Sequence, residues 1–489
     1  MDRCPPSFNL AEYVLHHSGA DDGKIALALL MPTGSQRWSY GKLRGAVAHV
    51  ARGLSAAGLA PGDRLLLRLG NGIAFPIAFL AAVSAGIIPV PTATALTQSE
   101  LDAMLEGLAP RAIAASPDVA LPSRSETLIT EGEISALAAR PLSDVKPLYA
   151  RGDPERLAYI IFTSGTSGRA RAVAHAHRAI WARRMMFEAW YGLTPEDRLM
   201  HAGAMNWTFT LGTGLLDPWA MGATALIPAP EAGLGALPML MRRHDATLFA
   251  AAPGVLRKLL KDPVKLTLPK LRHTLTAGEH LQDPLKMAWE NATGRPLYEA
   301  YGMTECSTFL SASPAGAAAL TPQPGRKIDL LEDGTIAIHK DEQGLMLGYL
   351  DAGLAPHLPL EGNWFLTNDQ ATRGAQGAFT YQGRRGEMLN AGGFRISPLE
   401  VERVLAGHPG LEEAAVCELP IDGSTILAAC YTAPKPLDRE SLDAYVSARL
   451  ARYKHPRAYR HVSALPRSPN GKLLRRDLPA VFAAKPETP

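Results

Sequence analysis

The chain has 489 residues, 47% of them hydrophobic and 20% charged, which is enough apolar material for several buried cores in an ordinary globular protein. Fifty basic against 47 acidic residues give a net charge of +3 with no run of five or more like charges, a balance that argues against nucleic-acid binding as the main task. The longest apolar stretch, residues 73–90, is interrupted by Pro76, Gly86 and Pro89 and falls short of the roughly 18 residues of a membrane-spanning helix.

The N-terminal Met1-Asp2-Arg3-Cys4-Pro5-Pro6 lacks the basic start and apolar core of an export signal. The four cysteines, Cys4, Cys306, Cys417 and Cys430, are scattered without a CxxC pair or zinc spacing. A reducing, cytoplasmic setting without membrane attachment is the expectation. From residue 9 to 58 the pattern predicts a helix, a strand and a long amphipathic helix over 40–57. Residues 63–69, 87–90 and 111–115 are strand-like, and 72–85 and 97–107 helix-like; repeated βα units predict parallel sheets covered by helices. Residues 116–155 show little periodicity and are expected to cross the surface.

Residues 159–162 are a short β-prone apolar run opening into Thr163-Ser164-Gly165-Thr166-Ser167-Gly168. The glycines allow close backbone approach, the hydroxyls and N–H groups can surround phosphoryl oxygens, and Arg169 and Arg171 supply positive charge. This is not a Walker loop, because Ala170 and Arg171 stand where Gly and Lys are required. Strands are predicted over 223–227, 246–251 and 271–277. The last ends at Gly278-Glu279, and the carboxyl end of a parallel strand is where α/β sheets bind ligands. Residues 320–382 turn to short alternating runs, a small β-barrel-like unit, with turns at 332–334 and 361–363. Four glycines fall within residues 383–393, after which a helix, a strand near Val416, an Asp422-Gly423 turn, a second strand and a helix from Asp438 predict a separate α+β unit. The expected fold is thus α/β: a large N-terminal domain, residues 1–384, of two layered α/β subdomains plus the β-barrel-like unit, and a small C-terminal domain, residues 385–489.

The ordered set of Thr163 to Gly168, then Tyr301-Gly302-Met303-Thr304-Glu305, Thr367-Asn368-Asp369, Gly383-Arg384 and Pro469-Asn470-Gly471-Lys472 resembles the adenylate-forming superfamily of acyl-CoA ligases, peptide-synthetase adenylation domains and luciferases. The resemblance runs from about residue 35 to about 478. It implies ATP, Mg²⁺ and CoA as cofactor and co-substrates, with the loop from Thr163 gripping the β- and γ-phosphates. It also places Gly278, Glu299, Ala300 and Tyr301 at the nucleotide, Thr304 on the α-phosphate and Glu305 on Mg²⁺. Asp369 would accept from the ribose hydroxyls, with Arg384 assisting. Lys472, on a mobile C-terminal domain, would reach the reacting carboxylate and α-phosphate and then leave with that domain. Arg385 and Gly386 would form the hinge, and Gly392-Gly393 the loop lining the CoA tunnel. The chain departs from the family in Ala170, Arg171 and Ala172, where Pro, Lys and Gly are usual, and in Gly386, where Asp or Lys is common. Arg171 keeps the charge and Gly386 keeps rotation possible.

Residues 206–225 together with Cys306 to Ser311 look most like benzoate-type CoA ligases. That resemblance puts Trp207, Thr208, Phe209, Thr308 and Phe309 in the acid pocket, with Thr308 where His is usual, so a substituted aryl or short aliphatic acid is expected rather than benzoate itself. Plain core packing is the other reading of Trp207 and Phe209. The favoured function is an AMP-forming acid–CoA ligase, with a homodimer possible, acting on a small carboxylic acid without nucleic-acid partners. The alternatives are a standalone adenylation enzyme loading a carrier protein and a degenerate acyl or nucleotide sensor.

Overall fold

The alternation of strands and helices is realised around a nine-stranded sheet. Its order is Thr321–Pro322, Ser307–Ser311, Leu297–Met303, His273–Thr276, Leu248–Ala250, Arg198–His201, Thr224–Pro228, Ile25–Met31 and Gly34–Ser39. The pairs from Leu297–Met303 through Ile25–Met31 are parallel and the outer ones antiparallel. This computed structural model describes residues 2–124, 127–141, 145–164, 170–261, 266–314, 319–350, 355–385, 389–391, 394–421, 424–468 and 473–483. A second, four-stranded parallel sheet runs Ile88–Pro91, Arg64–Arg68, Ala112–Ala115, Thr127–Thr130.

The helix Tyr40–Ala56 begins where Ser39 accepts the Lys42 N–H and packs Leu43, Val47, Val50 and Leu54 inward, the spacing of a helix with one buried face. The apolar stretch after residue 73 is core: every residue of the helix Ala74–Ser84 is buried. Pro76 falls in its first turn, where a missing N–H costs nothing. Among the described residues no helix is long and apolar enough to cross a membrane.

Residues 116–155 hold more structure than their weak periodicity predicts, namely the strand Thr127–Thr130 and the helix Glu131–Ala138. Both are short and bury few side chains, Ile129, Ile134 and Ala138, so no hydrophobic pattern announces them. The available signal was the reciprocal Thr130/Glu133 capping box, which the structure forms.

The β-rich stretch forms a four-stranded antiparallel sheet ordered Ile328–Leu330, Thr335–His339, Trp364–Arg373, Phe379–Arg384. Phe309, Ile336, Ile338, Phe365 and Phe379 share its core. The β-prone run at 159–162 lies in the strand Leu157–Ser164, which extends two residues past Phe162 and pairs antiparallel with Ala170–Ala176, with Gly348–Leu350 as the third member. Beyond residue 388 lie two further cores, one around Val401, Leu405, Val416 and Leu442 and one around Cys417, Cys430 and Leu478. The strands Glu413–Ile421 and Ser424–Thr432 pair up to Ile421 opposite Ser424, the register of a two-residue hairpin.

Candidate active site

The phosphate-loop strand brings Thr163 opposite Arg171. Gly165, Thr166, Ser167, Gly168 and Arg169 lie outside the described residues, as do Gly386, Gly392, Gly393 and Lys472, and of Ser164 only the backbone is described. Arg171 sits with its guanidinium carbon 3.3 Å above the centre of the Tyr349 ring, a cation–π contact. The Tyr349 hydroxyl in turn donates to Glu305 Oε1 at 2.8 Å. Burial and the adjoining Glu305 carboxylate hold the Tyr349 phenol protonated far above neutral pH. The loop-side cation and the carboxylate expected to hold metal are therefore linked through one ring.

Glu305 and Thr304 occupy the tight turn between Leu297–Met303 and Ser307–Ser311. The Glu305 carbonyl accepts from Met346 N–H at 2.7 Å, and Glu305 is 9% exposed. The turn closes only because residue 302 is glycine: a Cβ there would stand 2.2 Å from the Ser307 carbonyl oxygen and 2.5 Å from Thr308 Cα. Ser307 itself is left-handed, with φ of +60°. From beneath, the buried Arg183 donates to Ser307 Oγ and is fixed by Asp217, whose carboxylate oxygens it meets at 2.8 and 2.5 Å. Asp217 also accepts from Tyr191 OH at 2.7 Å. Burial raises the Asp217 carboxyl pKa, and Arg183 opposes that rise; a buried ion pair this fully bonded fixes geometry more than it adds stability.

Asp369 receives Tyr301 OH at 2.5 Å on one oxygen and Tyr381 OH at 3.2 Å and Arg384 Nε at 3.1 Å on the other. It is 2% exposed. Tyr301 is thus engaged by its hydroxyl as well as its ring, which stands edge-on to Phe309 at 5.3 Å. Burial and the Asp369 charge push its phenol pKa well up. Ribose hydroxyls bound by Asp369 would take the places of these phenol donors. Arg385 bonds back to this sheet, its N–H donating to Asn368 O at 2.7 Å.

At the end of the strand His273–Thr276, Gly278 has φ of +95° and its added Cβ would lie 2.6 Å from the Trp207 ring. Both the conformation and the contact call for glycine. Trp207 stands edge-on to Phe209 at 5.2 Å, and Phe209 stacks on Trp190 and meets His201. Burial drives the His201 pKa down to about 3, so the ring is neutral. Phe209 belongs to the main core and Trp207 packs on its edge, as the packing reading of these rings expects. Thr208 and Thr304 line one small cavity with Arg183 and Ser307.

Four further residues of the expected site are placed by packing and strand pairing. Phe309 is fully buried in the core of the β-rich unit, where it backs Tyr301. Ala300 is 2% exposed and paired with Ser311, which leaves its backbone as the usable part. Glu299 accepts from Leu281 N–H at 2.7 Å and so holds the loop following Gly278. Thr308 is 6% exposed, its carbonyl accepting from Arg326.

Tyr349, Tyr381 and Arg183 were not legible as neighbours of the motifs, because each lies outside them and meets its partner only in the folded chain, Tyr381 by strand pairing and Arg183 from the helical segment after Ala182. Among the described residues no cluster of three or more His, Cys, Asp or Glu is placed to hold a metal. A single carboxylate such as Glu305 fits Mg²⁺, which is commonly held by one or two carboxylates together with substrate phosphates. Tyr349→Phe, which removes a hydrogen bond to a charged acceptor of about 1.5–3 kcal/mol, is expected to raise the KM for Mg·ATP by roughly tenfold or more. An unchanged KM with unchanged turnover would show that Tyr349 does not orient Glu305.

Comparison with known proteins places this geometry. The model of the AMP-binding enzyme family matches residues 16–347, and that of the AMP-binding enzyme C-terminal domain matches residues 400–472. The 4-hydroxybenzoate–CoA/benzoate–CoA ligase of Rhodopseudomonas palustris is 28% identical, covering 89% of this chain and 88% of that protein. The human mitochondrial acyl-coenzyme A synthetase ACSM3 is 26% identical, covering 97% and 89%. The crystal structure of a benzoate CoA ligase from Burkholderia xenovorans LB400 superposes with a TM-score of 0.84 at 26% identity, over 96% of this chain and 99% of that one. With family models matching residues 16–347 and 400–472, on both sides of the glycine-rich stretch, the chain belongs to the AMP-binding enzyme family.

Proposed function

We propose that this protein is an AMP-forming acid–CoA ligase. A carboxylate oxygen of the acid attacks the α-phosphorus of ATP, the bond to the bridging oxygen breaks and pyrophosphate leaves. The CoA sulfur, having lost its proton, then attacks the acyl carbon of the adenylate and AMP leaves. The observation carrying this reading is the convergence of Arg171, Tyr349 and Glu305 at one point, with Tyr301, Asp369 and Arg384 joined in a second cluster on the same chain of motifs. The names of the relatives, which are CoA ligases and acyl-CoA synthetases over nearly their whole length, support it.

In this reading Thr304 meets the α-phosphate and Arg171, freed from its ring, the outer phosphates. Bringing two anions together requires fixed cations and donors, and a preorganised turn supplies them without reorganisation. Glu305 would hold Mg²⁺, which when bound supplies charge neutralisation at the phosphates. Trp207, Phe209 and Thr308 would bound the acid, and the aromatic wall against Gly278 suits a flat aryl or short aliphatic acid. The C-terminal domain from about residue 385 would bring Lys472 for the first half-reaction, then present Gly392-Gly393 to CoA by turning at Arg385-Gly386.

A panel of aryl and short aliphatic acids, assayed for AMP formation that needs both ATP and CoA, tests the proposal. Pyrophosphate release from no acid in the panel would overturn it, and transfer to carrier protein but not to CoA would move the protein to the standalone adenylation class. Within that assay Asp369→Ala is expected to raise the apparent KM for ATP by roughly 10- to 150-fold, the equivalent of one charge-assisted hydrogen bond. Unchanged ATP dependence would remove Asp369 from the ribose site.

A further inference from the structure

Four charged side chains alternate across the junction of the two domains. Arg257, on the helix Pro253–Leu259, pairs with Glu413, the first residue of a C-terminal strand. Glu413 Oε1 also meets Arg467 Nη2 at 2.9 Å, and Arg467 Nη1 lies 3.7 Å from Glu279 Oε2. Each domain contributes one cation and one anion, and two of the three contacts cross between domains. The side chains are 14–25% exposed, so they are screened far less than a surface pair and form a network instead of an isolated bridge.

The network sits at a telling place. Glu279 adjoins Gly278, where Trp207 packs at the nucleotide-side strand end. Arg467 is bridged to Leu473, and Leu474 N–H donates to Pro466 O at 2.9 Å; Lys472 lies between the bridged residues in sequence. We propose that Arg257, Glu279, Glu413 and Arg467 form an interdomain latch that holds the C-terminal domain in the orientation used for acyl-adenylate formation, with Arg467 as a positioning residue five places before Lys472 in sequence. This rests on the ligase reading only for the half-reaction it serves. Its release is then a required step before transfer, and its strength sets the balance between the two orientations.

The pairing pattern supplies a clean perturbation. Glu413→Arg with Arg467→Glu keeps the pair inside the C-terminal domain but sets like charges against Arg257 and Glu279. Adding Arg257→Glu and Glu279→Arg restores both crossing contacts with reversed polarity. Spin labels placed through Met287→Cys, on an exposed position of the helix Asp283–Thr293, and Ser447→Cys, exposed at the end of the helix Arg439–Ser447, report the interdomain distance in the full chain. Cys4 is replaced by Ser, and Cys306, Cys417 and Cys430 are buried from the label.

The parent protein is expected to show one dominant distance. The double swap should lower that population relative to others by roughly tenfold, and the fourfold swap should restore it. With 4-hydroxybenzoate and butyrate, a substituted aryl and a short aliphatic acid, as probes, single-turnover pyrophosphate release should slow by about tenfold in the double swap. Transfer to CoA from the supplied adenylate of the same acid should hold or rise. An unchanged distance distribution in the double swap, or no recovery in the fourfold swap, would overturn the latch. Distances that respond as expected in a protein that activates no acid would leave the latch standing and remove the ligase reading instead.

Discussion

Lys472→Ala is expected to reduce acyl-adenylate formation by about 10²–10³-fold while transfer to CoA from a supplied acyl adenylate survives. A preorganised cation aimed at developing charge is worth about that much when removed from a catalytic site. In the proposed function it would act on the carboxylate and α-phosphate only in the first half-reaction, and the second would have no use for it. The asymmetry is the informative part, since misfolding would depress both steps together. Pyrophosphate release in a single turnover and thioester formation from synthetic adenylate measure the steps separately. An equal fall in both, in a protein with parental thermal stability, would take Lys472 out of the adenylation chemistry.

Gly302→Ala is expected to lower kcat/KM for ATP by at least about 10²-fold. The added methyl carbon would meet two backbone atoms, the Ser307 carbonyl oxygen and Thr308 Cα, at 2.2 and 2.5 Å, and backbone cannot rotate out of the way as a flexible side chain can. The turn must open, and it carries Thr304 and Glu305. A displacement of about 1 Å at groups that position reacting atoms costs on the order of 10²-fold. Arg183 limits the escape, because its bond to Ser307 and its buried pairing with Asp217 tie the far side of the turn to the core. Overpacking also costs about 1–3 kcal/mol of stability, so the kinetic loss is to be read well below the variant's unfolding temperature. Parental kcat/KM in the variant would mean that the turn opens without moving Thr304 or Glu305.

Much of the site was legible because its chemistry depends on short contiguous groups. A strand running into small hydroxylated residues, the Tyr301 to Glu305 stretch and the Thr367 to Asp369 stretch each keep their members within a few positions, so their order along the chain is itself the signal. The same locality made the helices over residues 40–56 and 74–84 readable, since a long buried face repeats every turn. Where an element buries one or two side chains, as in Thr127–Thr130, no periodicity exists to be read. The packing of the aromatic rings was readable only in part: Phe209, weighed both as pocket and as core, belongs to the main core, and Phe309 lies in the shared core with Phe365 and Phe379.

By itself the sequence determined the α/β alternation and the order of the motifs, and it pointed to particular carboxylates, hydroxyls and cations as candidates for the chemistry. Each of these follows from local pattern or composition. Only the tertiary structure decided how those groups are held: Tyr349 on Glu305 across 44 residues, Tyr301 on Asp369 across 68, and Arg183 under Ser307 across 124. The same is true of Arg257 and Glu279 meeting Glu413 and Arg467 between domains. Such contacts depend on strand order and register, which are set by the summed burial of the cores and leave no mark in the spacing of the residues that meet.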